Sequence, residues 1–435
     1  MPIFRRPALT ALILGAGSAA FAVAGWMQPG EAAQSPRIGE AEVLELDLAF
    51  YRERVARDSF SARDEAELAR LYLQRARASG AGDADLVRAE THARRSLALR
   101  TGRNQEAFQV LASSLMGQHR FADARMATEQ LVALDSSARP ARAMLGEVLL
   151  ELGEYAAAEE IFGTLFMSRT DLAVAPRYAR WEEIRGRPTE ARRLLRLARD
   201  EAAGRHATPA AQLGWFHWRL GDLALRHGLL DEAERELRRG LSLVPDDHRL
   251  LDGLARLALA REAWREAIDL GERAIARAPD PATLGLLALA HEAAGDRARS
   301  AEYERAMAVA VRGQSQVHRA WSLFLLDRDR EVSAVLARAR GEIGARHDVY
   351  AWDLLAWALH RSGRHAEAQA AMVRAVAMGT RDPMILFHAG MIEAALGRQG
   401  EARRHLEHAL AINPYWHPFQ PAEVRRTLAR LPPGG

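Results

Sequence analysis

A unit of about 34 residues recurs nine times without a break, and this period limits the fold more than any other feature of the chain. The units begin at residues 105, 139, 172, 214, 248, 281, 315, 349 and 383, with steps of 33 or 34 except for the 42 residues before 214. The eighth residue of each unit is Ala112, Gly146, Ala179, Gly221, Ala255, Ala288, Ser322, Ala356 and Gly390 in turn. The twentieth is Ala124, Ala158, Ala191, Ala233, Ala267, Ser300, Ala334, Ala368 and Ala402. All are small. Two antiparallel helices approach to roughly 8 Å only where neither carries a bulky side chain at the crossing. Positions 8 and 20 are therefore expected to face each other across a helical hairpin, where a larger residue costs ~1–3 kcal/mol.

Bulkier apolar residues surround the small ones. Leu111, Leu145, Leu220, Leu254, Leu287 and Leu355 fall at position 7, and Phe162, Leu195, Leu237, Met372 and Leu406 at position 24. Gly153, Gly295, Gly363 and Gly397 at position 15 suit a left-handed helix cap. Pro245, Pro279 and Pro414 at position 32 can end one unit before the next begins. The units at 281 and 315 fit less well, because Glu304 and Arg338 occupy the usually apolar position 24. A one-residue slip in the second would place Ala337 there.

The stretches "LGEYAAAEEIF", "WRLGDLALRHGLLDEAERELRRGLSLVP" and "LGRQGEARRHLEHALAINP" closely resemble the tetratricopeptide repeat, a 34-residue helix–turn–helix, and the chain is similar to exported bacterial members of that family. Trp stands at the repeat's fourth position only at Trp352, and the usual Tyr at position 11 is replaced by Leu, Ala, His or Glu. The resemblance implies an all-α, right-handed superhelical solenoid of stacked antiparallel helix pairs, whose first helices line a concave face at positions 2, 5, 9 and 12. On this chain those positions give Arg180, Trp215, Trp218, Asp222 and Arg256, with Arg177 near position 5 of its unit, then Tyr350, Asp353, Trp357, His360, Phe387 and Met391. Rings and thioethers in a groove favour recognition of a protein or peptide segment. The alternative is that Tyr350, Trp357 and Phe387 pack on a neighbouring unit or on the closing segment "NPYWHPFQP". A carboxylate clamp built on groove asparagines is not expected, since Asn occurs only at Asn104 and Asn413.

The expected organisation runs in four parts. Residues 1–30 are a signal peptide or membrane anchor, 31–64 a linker and capping helix, 65–416 an array of about ten helix pairs, and 417–435 a closing helix and tail. Arg5 and Arg6 precede an uncharged run from Pro7 to Gly30, and Ala22, Val23 and Ala24 offer a small-x-small cleavage pattern. About 20 apolar residues would also suffice for a membrane tether through residues 7–30. Both readings put the repeats outside the cytoplasm, in the periplasm or cell envelope.

Composition removes several function classes. With no Cys there are no thiol nucleophiles, disulfides or thiolate metal sites. The net charge of +3 falls to +1 without Arg5 and Arg6, leaving 58 basic against 57 acidic residues. The densest arginine cluster, Arg185 to Arg199, is diluted by acids, so nucleic acid is not an expected partner. "HEAAG" at His291–Gly295 lacks the second histidine of a zinc protease, and "HLEH" at His405–His408 reads as a solvated face. No cofactor, small molecule or catalytic set is inferred. The expected function is a non-catalytic scaffold in an envelope assembly. The alternatives are an accessory subunit of an enzyme complex, or an exported ligand- or metal-binding protein using His360, His388, His405 and His408.

Overall fold

The computed structural model describes residues 39–79, 82–168, 171–206, 208–312 and 318–432. The leader reading, residues 1–30, lies outside them. Among the described residues every regular element is helical, and no helix is long and apolar enough to cross a membrane. A compact unit comprises Leu44–Gly435; of the preceding unit, Met1–Val43, only the start of the first helix is described.

Helix α1 (Glu40–Arg57) is followed by ten helix pairs. The first five are α2 (Ala62–Ser79) with α3 (Gly82–Leu99), α4 (Gln105–Gly117) with α5 (Phe121–Leu134), α6 (Arg139–Leu152) with α7 (Tyr155–Thr164), α8 (Ala175–Ile184) with α9 (Pro188–Ala203), and α10 (Ala210–Arg226) with α11 (Leu230–Leu243). The second five are α12 (His248–Ala260) with α13 (Trp264–Arg277), α14 (Pro281–Ala293) with α15 (Arg297–Ala310), α16 (Arg319–Leu326) with α17 (Val332–Ala345), α18 (Val349–Arg361) with α19 (His365–Val376), and α20 (Pro383–Ala395) with α21 (Gln399–Ile412). Helix α22 (Gln420–Arg430) closes the array. The long step before 214 is absorbed by α9 and by α10, which begins four residues ahead of its unit.

Local chemistry starts and pairs these helices. Asp247, Asp280, Asp348 and Asp382 each stand just before a first helix and accept two of its free backbone N–H groups. Such a cap stabilises by ~0.5–2 kcal/mol. The small residues sit where the sequence pattern expects a crossing, but position 8 chiefly meets position 24. A Cβ on Gly146 would lie 2.8 Å from the Phe162 ring, on Gly221 2.6 Å from Leu237 Cγ, and on Gly390 2.5 Å from Leu406 Cγ. The backbone carbonyl of the residue at position 20 lies behind, 3.2 Å away for Ala402 at Gly390.

One of the eighteen small residues is out of place. Ala334 is exposed, whereas Val335, Leu336 and Ala339 are buried. Helix α17 is thus displaced by one residue in the sense opposite to the slip considered above, and both Arg338 and Ala337 face solvent. An extra turn residue causes this: α16 ends at Leu326, and Asp329 and Glu331 both take positive φ before α17 begins. Glu304 keeps position 24 in α15 and is ion-paired with Arg330.

The superhelix winds until its successive turns touch. His347 N–H donates to Leu152 O at 3.0 Å, and Val349 N–H to the Tyr155 hydroxyl, 194 residues away, at 2.8 Å. The Thr380 hydroxyl donates to Ile184 O, 196 residues away, and Asn413 Nδ2 to Leu225 O, 188 residues away, at 3.0 Å. At roughly 34 residues per unit these separations amount to about five and a half units per turn. Three hairpin turns therefore seat against three inter-unit linkers.

Position 15 is left-handed in all nine units, at His119, Gly153, Gly186, Gly228, Glu262, Gly295, Asp329, Gly363 and Gly397. At the seated turns there is also no room for a Cβ: it would lie 2.5 Å from the His347 carbonyl at Gly153 and 2.1 Å from Gly379 O at Gly186. At Gly295, Gly363 and Gly397 nothing lies within 4 Å. Gly363→Ala should cost only the left-handed strain, ~1–2 kcal/mol. Gly186→Ala should cost ~1–3 kcal/mol more, because backbone must move. Urea denaturation of the two variants measures the difference; equal losses would mean that the turns do not seat.

Candidate inner-wall interface

The first helices carry a ladder of ion pairs along their shared wall. Arg177 Nε donates to Glu147 at 2.7 Å, and Arg180 approaches Glu183 at 3.2 Å and Glu151 at 3.8 Å. Glu183 also receives Arg219 at 3.2 Å and Arg226. Asp222 gathers Arg219 at 3.1 Å, Arg226 at 2.7 Å and Arg256 at 3.1 Å, while Arg256 continues to Asp252 at 3.0 Å. The Thr283 hydroxyl donates to Asp252 at 2.9 Å and carries the ladder to α14.

Burial pushes the Glu183 carboxyl up, but Arg226, Arg180 and Arg219 outweigh it and hold the group at about 2. Asp222 is likewise held well below the usual carboxylate range, with Arg226, Arg256 and Arg219 overcoming its burial. At Glu151 and Asp252 burial wins and both are raised, despite Arg180 and Arg346 beside the first and Arg256 beside the second.

The ladder crosses the seam between turns at Tyr350. Arg180 from one turn lies 5.4 Å from the ring centroid and Arg319 from the next lies 5.3 Å from it. Arg319 reaches Asp353 at 2.6 Å, and Asp353 receives His388 Nδ1 at 2.7 Å. Arg346 lies 3.6 Å from Glu151 across the same seam. Nothing in the 34-residue pattern announces this junction, because its partners stand more than 160 positions apart in sequence.

The twelve residues expected in a groove divide into two sets. Arg177, Arg180, Trp215, Trp218, Asp222, Arg256 and Tyr350 lie along the wall, with Asp222 buried beneath its arginines and Trp215 half-buried against the core. Asp353, Trp357 and Phe387 correct the expectation of an open groove, since they are at most 1% exposed. Trp357 stacks on His388 at 4.2 Å and on His360 at 4.9 Å, and its Nε1 donates to Asp327. Phe387 meets Trp416 of the closing segment at 6.1 Å, and Met391 lies 3.8 Å from the Thr427 hydroxyl of α22. The closing segment covers this end of the wall, as the alternative packing anticipated. Among the described residues no group of three or more His, Asp or Glu is disposed to hold a metal.

None of the twelve groove residues named above belongs to the units at 281 and 315, and an apolar recess lies there. It has a volume of about 680 Å³. Positions 2, 5 and 9 of the unit at 281 are Ala282, Gly285 and Leu289, too small to fill the wall, and α16 is only two turns long. Leu286, Met307 and Phe324 form the floor. Residues 414–418 of the closing segment bound it, pinned by Asn413 on α10 and by Gln420, whose Nε2 donates to Asp327 at 3.0 Å. Applying the groove positions to every unit would have found it.

Acid should loosen this wall in two stages. Burial, with His365, Arg361 and His388 adding repulsion, pushes His360 down to about 4 from 6.5, and burial does the same to His417. Because both folded values lie below the unfolded one, the unfolded chain takes up protons first, and stability falls between about 6.5 and about 4. The stabilisation from Glu183 is complete above 4.5 and is lost from there towards about 2. The urea midpoint of the wild type should therefore drop between pH 7 and 4.5, with a shallower slope for His360→Gln. A level profile would contradict the buried neutral histidines. Glu183→Ala should cost about 3–5 kcal/mol by stranding its arginines. Glu234→Ala, in the more exposed Arg238 and Arg261 pairs, should cost under ~1 kcal/mol.

Family comparisons agree with this architecture. A family model described as tetratricopeptide repeat matches residues 115–180, and a second of the same description matches 218–282 and 354–415. Among solved structures, the chain is similar to the crystal structure of the APC/C hetero-tetramer Cut9–Hcn1, at 13% identity and a TM-score of 0.34, covering 90% of this chain and 96% of that one. It is also similar to PilW, a widely conserved type IV pilus biogenesis factor, at 17% identity and a TM-score of 0.32, covering 57% of this chain and 92% of that one. No curated protein matches the sequence. With family matches on three separate stretches, and hairpins continuing the same period between them, the chain is a tetratricopeptide repeat protein.

Proposed function

We propose that this protein is a non-catalytic scaffold that works outside the cytoplasm and holds a segment of a partner protein against its inner wall, within an envelope assembly. Tetratricopeptide repeats indicate protein partners in general. The observation that carries the finer reading is the wall itself. It presents charged and aromatic side chains around an unfilled apolar recess, whereas the outer helices carry mostly solvated ion pairs. Buried aromatic and arginine anchors around a pocket are what concentrates binding energy at protein interfaces. The extracytoplasmic location rests on the paired arginines and uncharged run of residues 1–30.

Two measurements test the two halves of this reading. A photo-crosslinking residue placed at Arg249, whose guanidinium lies 5.9 Å from the ring centroid of Trp218 on the wall, should trap a partner in cells, while one at Val373, 52% exposed on α19, should not. Trapping only from Val373 would sink the inner-wall assignment. Alkaline phosphatase fused after residue 435 should be active in cells, since that enzyme needs an oxidising compartment to form its disulfides; an inactive fusion would place the array in the cytoplasm.

A further inference from the structure

The recess at the unit beginning at 281 has a chemical preference of its own, and its rim shows which. Arg256 spends Nη2 on Asp222 and lies by Nε against Asp252; Arg319 spends Nη2 on Asp353; Arg328 spends Nη2 on Glu292. The Nη1 groups of all three meet no protein acceptor among the described residues, and all three arginines line the recess. Five arginines line the recess, Arg226 and Arg425 with these three, against the carboxylates Glu262, Asp327 and Asp382, of which the last two are committed. Asp327 receives Trp357 Nε1 at 3.0 Å and Gln420 Nε2 at 3.0 Å, and Asp382 Oδ1 caps α20 by receiving the N–H groups of Met384 and Ile385. The rim therefore offers unspent cationic donors above an apolar floor.

We infer that the recess takes an internal peptide segment in which one bulky apolar side chain is flanked by aspartate or glutamate. The proposal rests on the scaffold reading above and names the chemistry of the partner. The apolar side chain would fill the space left by Ala282, Gly285 and Leu289, and the carboxylates would accept from Arg256, Arg319 and Arg328. Guanidinium–carboxylate contacts are stronger than neutral hydrogen bonds and weaken with salt when exposed. Arg328 is preorganised for this, because its guanidinium lies 3.8 Å from the Phe324 ring centroid. A segment rich in Lys or Arg would meet like charge at the same rim, which gives the site discrimination as well as affinity.

The test uses the full chain and a library of random dodecapeptides. Selection should enrich Leu, Phe or Trp flanked by Asp or Glu, and the selected peptides should bind at least tenfold more weakly in 0.5 M than in 0.05 M NaCl. Ala282→Trp, which fills the recess from an exposed position, and Arg328→Gln should each weaken binding at least tenfold while leaving the thermal midpoint unchanged. Enrichment of basic peptides, no enrichment, or full binding by Ala282→Trp overturns the proposal. Saturable binding of decanoate with no peptide selected also overturns it, in favour of a fatty-acid anion. The scaffold reading fails separately: a partner trapped from Arg249 that supplies no acidic segment to the recess sinks only this inference, and no trapped partner sinks the scaffold.

Discussion

The close crossing within each hairpin sets everything that follows. Where position 8 is Gly, the side chain at position 24 lies directly on the first helix, as Phe162 does on Gly146, Leu237 on Gly221 and Leu406 on Gly390. That contact fixes the distance and angle between the two helices of a unit. Repeated ten times, a fixed hairpin geometry produces a fixed rotation per unit, and so a superhelix of definite pitch. The pitch here is short enough for hairpin turns at Gly153, Gly186 and Gly228 to meet linkers nearly 200 residues later. A solenoid is usually a quasi-one-dimensional object held by neighbour contacts. This one gains long-range contacts by winding onto itself.

Winding also changes what the inner wall must be. Charges at groove positions of an open array face water, but here several are shut in by the adjacent turn. Burying a charge is tolerated only when it is paired and hydrogen-bonded. The ladder from Arg177 to Asp252 answers that constraint, with Glu183 and Asp222 each shared among three arginines. Arginine suits such sharing because its planar fork offers five donors. Tyr350, held between Arg180 and Arg319, is the point where the ladder of one turn meets that of the next. The units at 281 and 315 depart from the pattern, and the wall opens into the recess where they stand. There, small residues at groove positions and the shortened α16 leave space unfilled.

Much of the fold was legible because its signal is local. Seventeen of the eighteen small residues are buried, and the exception, Ala334, follows from one extra residue in the turn before α17. Site residues were legible only in part. A periodic rule assigns a face, and Arg180, Asp222 and Arg256 lie on that face as members of the ion-pair ladder. It cannot say what covers that face, which is why Trp357 and Phe387 fell in the groove list although the closing segment buries their surroundings. Residue spacing likewise held no trace of His388 beneath Asp353 or of Arg346 beside Glu151, since these pairs depend on how units stack.

The repeating hairpin, its small-residue crossing and its glycine turns could be read from residue spacing, because each depends on residues within one unit. The stacking of units was needed to bring successive superhelical turns together, to pair charges of the wall across the seam and to leave an apolar recess under an arginine rim. Those properties depend on the rotation from unit to unit, a small angle summed over many repeats. No single 34-residue period contains that sum.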